Sequence, residues 1–201
     1  SSAASDVYKR QQPTLWCDMD GVIAVYEPHA YIGPRPLFLR PEQHYFATVQ
    51  PNPSMIHALK NLTEHAVSVR LISNILFSPV AGEQKADKQK WADRYLPFLS
   101  RTPILFLHEE KYKGVLRETG ALYKTDLLVS DYNKDLVPWN RAGGTGVKYL
   151  NGINSPNSYT GPQIPPDADV NAICDVLYQL WRDISAKQNE NGGSFHEHNL
   201  L

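Results

Sequence analysis

The chain has 201 residues, 42% of them hydrophobic, which is enough for one domain with its own core. Lysine and arginine total 20 against 21 acids, a net charge of −1, so no global field draws the protein to nucleic acid or to an anionic membrane. No apolar run approaches the roughly 20 residues of a membrane span, no signal-like segment stands out, and the two cysteines, Cys17 and Cys174, lack metal-ligand spacing; a cytoplasmic protein acting on a small substrate is expected.

In chain order, the apolar run Leu15-Trp16-Cys17 predicts a buried strand that ends in Asp18-Met19-Asp20-Gly21-Val22. Residues 22–48 hold Pro28, Pro34, Pro36 and Pro41 among Tyr26, His29, Tyr31, Phe38, Tyr45 and Phe46, too much proline for a regular element. This segment reads either as a small lid that brings aromatic faces and Arg35 or Arg40 to a substrate, or as an irregular loop whose aromatics pack on the core. Asn52 caps a helix with Pro53 at its first position, and Met55, Ile56, Leu59 and Leu62 follow at helical spacing. Val67 to Ile72 is a second strand, closing on Ser73-Asn74, and Lys85 to Tyr95 a lysine-rich helix.

Pro103 to Leu107 reads as another buried strand. The loop from His108 to Thr125 carries His108, Glu109, Glu110, Lys111 and Lys113, charges that either meet a leaving group or are simply solvated. Asp126 to Ser130 is a third strand-like run, ending in Asp131, and a helix is expected near Val137 to Ala142. Gly143-Gly144-Thr145-Gly146 lacks a following Lys-Ser/Thr and turns the chain into a strand, Gly146 to Leu150, rather than cradling phosphate. Val170, Ile173, Leu177, Leu180 and Ile184 form the stripe of a closing helix. The alternation predicts an α/β fold with a doubly wound, mostly parallel, Rossmann-like sheet. The expected organisation is an N-terminal extension (1–13), a catalytic domain (14–186) with the 22–48 insertion, and a flexible tail (187–201) containing His196-Glu197-His198.

The polar ends of these strands carry the chemistry. In open α/β sheets ligands bind outside the carboxyl ends of the strands, and here three strands end in Asp18 and Asp20, in Ser73, and in Asp131. Two carboxylates two residues apart, followed by a glycine turn, can hold a divalent cation and leave one carboxylate free to attack, an arrangement suited to phosphoryl transfer. The helix of Lys85, Lys88 and Lys90 can deliver an ammonium to the same edge.

With these motifs in order (Asp18-x-Asp20-Gly21-Val22, Ile72-Ser73-Asn74, a helix-borne lysine, and Val129-Ser130-Asp131 with Asp135) the chain resembles the haloacid dehalogenase-like phosphohydrolases over roughly residues 14–150. A shorter likeness points to the 5'(3')-deoxyribonucleotidases. Arg40-Pro41-Glu42-Gln43 leading to Tyr45-Phe46-x-x-Val49-Gln50-Pro51-x-Pro53 resembles the segment before their first core helix, and Lys88-x-x-Trp91-x-x-x-Tyr95 their lysine helix. Ser130 stands where those nucleotidases usually carry another acid.

The resemblance implies a Mg2+-dependent phosphomonoesterase. Asp18 would be the nucleophile and Asp20 the acid and base; Mg2+ would be held by Asp18, the Asp20 carbonyl and Asp131. Ser73 would hold a phosphoryl oxygen and Lys88, with Lys90 second, would offset its charge. Asn74, Arg40 and Tyr45 are expected to contact substrate, while Asp135 either orients Lys88 or water, or complements a helix dipole. The implied substrate is a small phosphate ester, nucleoside monophosphates first; another phosphate ester, a polynucleotide 3'-phosphate end and a silent phosphate-binding module are the alternatives. A homodimer formed through the lid or the closing helix is compatible with the pattern.

Overall fold

The computed structural model describes residues 14–76, 79–154 and 159–192, with backbone only for 188–192. The expected 1–13 extension and His196-Glu197-His198 lie outside the described residues.

Six strands, β1 (Thr14–Asp18), β2 (Ser68–Asn74), β3 (Leu105–Leu107), β4 (Leu127–Ser130), β5 (Thr145–Tyr149) and β6 (Gln163–Ile164), form one sheet in the order β3-β2-β1-β4-β5-β6. Every pairing is parallel. The helices are α1 (Tyr45–Thr48), α2 (Pro53–Glu64), α3 (Ala81–Tyr95), α4 (Lys111–Thr119), α5 (Asn133–Arg141) and α6 (Val170–Gly192). The chain builds outward from β1 through β2 to β3, then crosses back to β4 on the other side. The switch point therefore falls between β1 and β4, where Asp18 and Asp131 leave the sheet.

The central strands are apolar because they are covered on both faces. Their side chains alternate with a period of two. Leu15 and Cys17 of β1, with Leu127 and Val129 of β4, enter one core together with Met55, Leu59, Trp91, Ile173 and Leu177 from α2, α3 and α6. Trp16 and Leu128 face the opposite way and meet Val115 of α4 and Leu136 and Trp139 of α5. Asn52 caps α2 as expected, accepting from the Met55 amide, and its own amide donates to the Val22 carbonyl and the Tyr149 hydroxyl.

The structure differs from the sequence reading in four places. The expected 108–125 loop contains α4, stopped by Gly120 in the left-handed region. Helix α5 begins at Asn133, well before Val137, and so starts just after Asp131. Strand β6 was not anticipated. Helix α6 runs to Gly192, so the first residues of the expected tail are helical. Among the described residues no helix is long and apolar enough to cross a membrane.

The 22–48 insertion is built from three 3-10 turns (Pro28–Tyr31, Leu37–Leu39, Pro41–Gln43) and α1. Proline supplies a preset φ at the start of two of them. The aromatics pack on one another: Tyr26 stacks on Tyr31 at 4.5 Å between ring centroids, Tyr31 lies 4.8 Å from Phe38, and Tyr45 meets Tyr31 and Phe46 edge-on. Two polar ties hold the insertion to α3: His44 Nδ1 lies 3.0 Å from the buried Asp87 carboxylate, and the buried Gln84 donates through Nε2 to the Phe38 carbonyl at 3.0 Å.

Candidate active site

Asp18, the last residue of β1, is 6% exposed, and its Oδ1 accepts from the Met19 amide at 2.9 Å. Its other oxygen takes two donors, the Lys111 ammonium and the Ser130 hydroxyl, the latter at 3.1 Å. Lys111 also donates to Asp135 at 2.7 Å, and Ser130 lies 3.2 Å from the same Asp135 oxygen. Asp18, Lys111 and Ser130, all buried, thus close a ring with the partly exposed Asp135 at the switch point.

Burial raises the Asp18 carboxyl to about 7; Lys111 opposes the shift, and Asp135, Asp131 and Asp20 add to it. For Lys111, burial pulls downward but the two carboxylates outweigh it and hold the ammonium above its ordinary range. Lys111 is therefore charged, while Asp18 is an under-neutralised carboxylate among three other acids. Such surroundings favour an additional cation.

A second cluster sits beside the first. Lys88, 2% exposed, donates to Asp20 at 2.5 Å, to the Ser73 hydroxyl at 2.7 Å and to the Asn74 carbonyl at 3.3 Å, with its ammonium 4.4 Å from the Phe46 ring. The phosphate-neutralising lysine expected from the sequence lies here, behind Asp20; a second buried lysine, Lys111, which the sequence shows only as loop charge, is the one against Asp18 and in the cavity wall. Asp135 likewise partners Lys111 rather than Lys88, and it also lies in the first turn of α5. Lys111 was legible only as loop charge because the helix that aims it is nine residues long. The signals for that helix were Gly120 as its stop and Tyr112, Val115 and Leu116 at helical spacing.

Asp131 is 5% exposed, and its Oδ2 accepts from both Asn151 and Asn154 at 2.6 Å. Gly21 makes this approach feasible. Its φ is +77°, and a Cβ there would lie 2.3 Å from Asp131 Oδ2. Only glycine meets both demands.

A cavity of about 560 Å³ opens over these groups, lined by Asp18, Asp20, Asn74, Lys111, Asp131, Asp135 and Asn154 together with Tyr26, Tyr31, Leu76 and Tyr132, the last two exposed. Not every expected residue reaches it. Ser73 is fully buried beneath Lys88, so Asn74 alone of that pair lines the cavity. Arg40 is turned away, its Nε donating to the Arg35 carbonyl, and Tyr45 is buried in the aromatic stack. The 22–48 segment contributes Tyr26 and Tyr31 instead.

Magnesium fits this donor set. Among the described residues no three His, Cys, Asp or Glu side chains form a ready-made metal cluster. A cation here would draw on Asp18, Asp131, the Asp20 carbonyl and water, a sparse all-oxygen set of the kind Mg2+ accepts when substrate phosphate completes its shell.

No protein-family model matches the chain, and no curated protein matches its sequence. Solved structures do match in fold. The D,D-heptose 1,7-bisphosphate phosphatase of B. bronchiseptica, complexed with magnesium and phosphate, aligns with a TM-score of 0.57 at 17% identity, covering 83% of this chain and 98% of that one. The cobalt-bound deoxy-D-mannose-octulosonate 8-phosphate phosphatase of Haemophilus influenzae aligns at 0.50 and 15% identity, covering 86% and 91%. A HAD-superfamily hydrolase of Ehrlichia chaffeensis aligns at 0.50 and 13% identity, covering 85% and 98%. The fold is haloacid dehalogenase-like. In that haloacid dehalogenase-like frame, Asp18 leaves the sheet at the end of β1, beside β4.

Proposed function

We propose that this protein is a Mg2+-dependent phosphomonoesterase acting through an aspartyl-phosphate on Asp18, with nucleoside monophosphates as the favoured substrates. The observation that carries the reading is the convergence on one cavity of the buried Asp18, the buried Lys111 and a second aspartate, Asp20, two residues on, with the buried Lys88 held against Asp20 from behind.

Asp18 attacks phosphorus through its carboxylate, forming an acyl-phosphate as the phosphorus–oxygen bond to the leaving alcohol breaks. Lys111 and Ser130 orient that carboxylate. Asp20, held by Lys88, gives a proton to the departing alkoxide and then takes one from the water that cleaves the acyl-phosphate. Lys88 also holds the Ser73 hydroxyl, so this cluster ties the acid to the end of β2. Bound Mg2+ supplies charge neutralisation of the phosphoryl group, with Asp18 and Asp131 as its protein carboxylates.

Nucleotides are favoured because three tyrosines, Tyr26, Tyr31 and Tyr132, line the cavity, a wall suited to a planar base. A sugar phosphate is the second reading, suggested by the names of the heptose and octulosonate phosphatases that share the fold. The test is phosphate release with Mg2+ from 5'- and 3'-nucleoside monophosphates, sugar phosphates and a 3'-phosphorylated oligonucleotide, with Asp18→Asn as control. Release confined to nucleotides and lost in the variant supports the reading. Release confined to sugar phosphates replaces the substrate assignment, and no release from any of them rejects the enzyme.

A further inference from the structure

The loop after β5, which no motif singled out, reaches back across the switch point to Asp131. Asn151 Nδ2 and Asn154 Nδ2 each lie 2.6 Å from the same carboxylate oxygen, Oδ2, and Asn151 Nδ2 is also 3.1 Å from the Gly21 carbonyl. The orientation of the Asn151 amide is set independently. Its Oδ1 accepts from the backbone amides of Ile153 at 3.0 Å and Asn154 at 3.3 Å, so its NH2 must face Asp131. An ionised carboxylate only accepts, which likewise turns the Asn154 NH2 towards it. The main chain is held as well: the buried Lys148 ammonium donates to the Asp131 carbonyl at 3.0 Å and to Asn133 Oδ1 at 2.6 Å.

Two amides on one oxygen occupy its lone-pair directions and leave the other oxygen for a ligand. We propose that Asn151 and Asn154 are positioning residues that clamp Asp131 Oδ2, so that Asp131 meets a divalent cation through Oδ1 alone, in an orientation set before the cation arrives. The inference rests on the reading of Asp131 as a cation ligand. The Asn151 side chain also links two loops to its own, donating to the Gly21 carbonyl in the turn after β1 and to Asp131 after β4. Partners that orient a ligating carboxylate typically influence metal affinity 10- to 100-fold.

The experiment is calorimetric titration of the full chain with Mg2+, in wild type, Asn151→Ala and Asn154→Ala, accompanied by the electron paramagnetic resonance spectrum of bound Mn2+ and by urea unfolding. Each variant should bind Mg2+ about 10-fold or more weakly and change the Mn2+ spectrum. With p-nitrophenyl phosphate as substrate, the Mg2+ concentration for half-activity should rise while the rate at saturating Mg2+ is largely recovered. Asn151 also holds the Gly21 carbonyl, so if its alanine variant fails to fold, Asn154→Ala decides. Wild-type affinity and spectrum in the folded variants overturn the clamp and leave the phosphatase reading standing. A wild type that binds no Mg2+ overturns both.

Discussion

The strand edge around Asp18 and the 22–48 insertion solve different problems with different interactions. At the edge, the nearly fully buried Asp18, Lys88, Lys111 and Asp131 find polar partners across strands and helices far apart in sequence: Lys111 to Asp18, Lys88 to the part-exposed Asp20, Asn151 to Asp131. The insertion is held by aromatic rings within some twenty residues of each other, by the exposed His44 bonded to Asp87 and by Gln84 donating to the Phe38 carbonyl. The first arrangement tolerates almost no change, because a buried charge that loses its partner is costly to leave unpaired. The second can be altered ring by ring. The proposed chemistry and the proposed substrate contacts thus rest on separable sets of interactions.

The largest effect expected is at the edge. Asp18→Asn should lower phosphate release by on the order of 10^3-fold or more while leaving the fold intact by circular dichroism; substantial residual turnover would move the nucleophile elsewhere. Lys111→Met should be next, because it leaves Asp18 and Asp135 facing each other without their cation. A loss of about 3 kcal/mol in urea unfolding, recovered in part by adding Asp135→Asn, is expected. A neutral Lys111→Met would mean that the ring is not the anchor of the edge.

The insertion should respond more gently. Tyr26→Ala should raise KM for nucleotides with little change in kcat, and a double-mutant cycle with Tyr31→Ala should return a coupling of about 0.5–1.5 kcal/mol in stability. Equal loss of kcat and kcat/KM would tie the lid to the chemical step and end the separation. Arg40→Ala should do least, within roughly 0.5 kcal/mol of wild type in stability and without effect on KM. A raised KM in Arg40→Ala would place its guanidinium over the cavity after all.

Much of this fold was visible in the pattern of apolar runs. Leu15 to Cys17, Val67 to Ile72 and Asp126 to Ser130 announce parallel strands because strands buried on both faces cannot afford polar side chains. Their polar ends announced Asp18, Asp20, Ser73 and Asp131 for the same reason, since a carboxylate or hydroxyl that follows such a run must lie at the sheet edge. Helix α4 was hidden by its length and by the charges of Glu109, Glu110, Lys111 and Lys113, which resemble a solvated loop when their partners are out of view. Asn151 and Asn154 carried no signal at all, an amide beside a glycine being the ordinary composition of a turn.

Sequence alone determined the doubly wound sheet, its carboxyl-end site and the aspartate that leads it, since local periodicity and chain order suffice for those. Tertiary structure decided which lysine meets which carboxylate, which aromatics face the cavity and which amides hold Asp131. Those pairings join residues between 20 and 93 positions apart, and at such separations only the packing of helices on a twisted sheet, not any short-range preference of the chain, sets who is within 3 Å of whom.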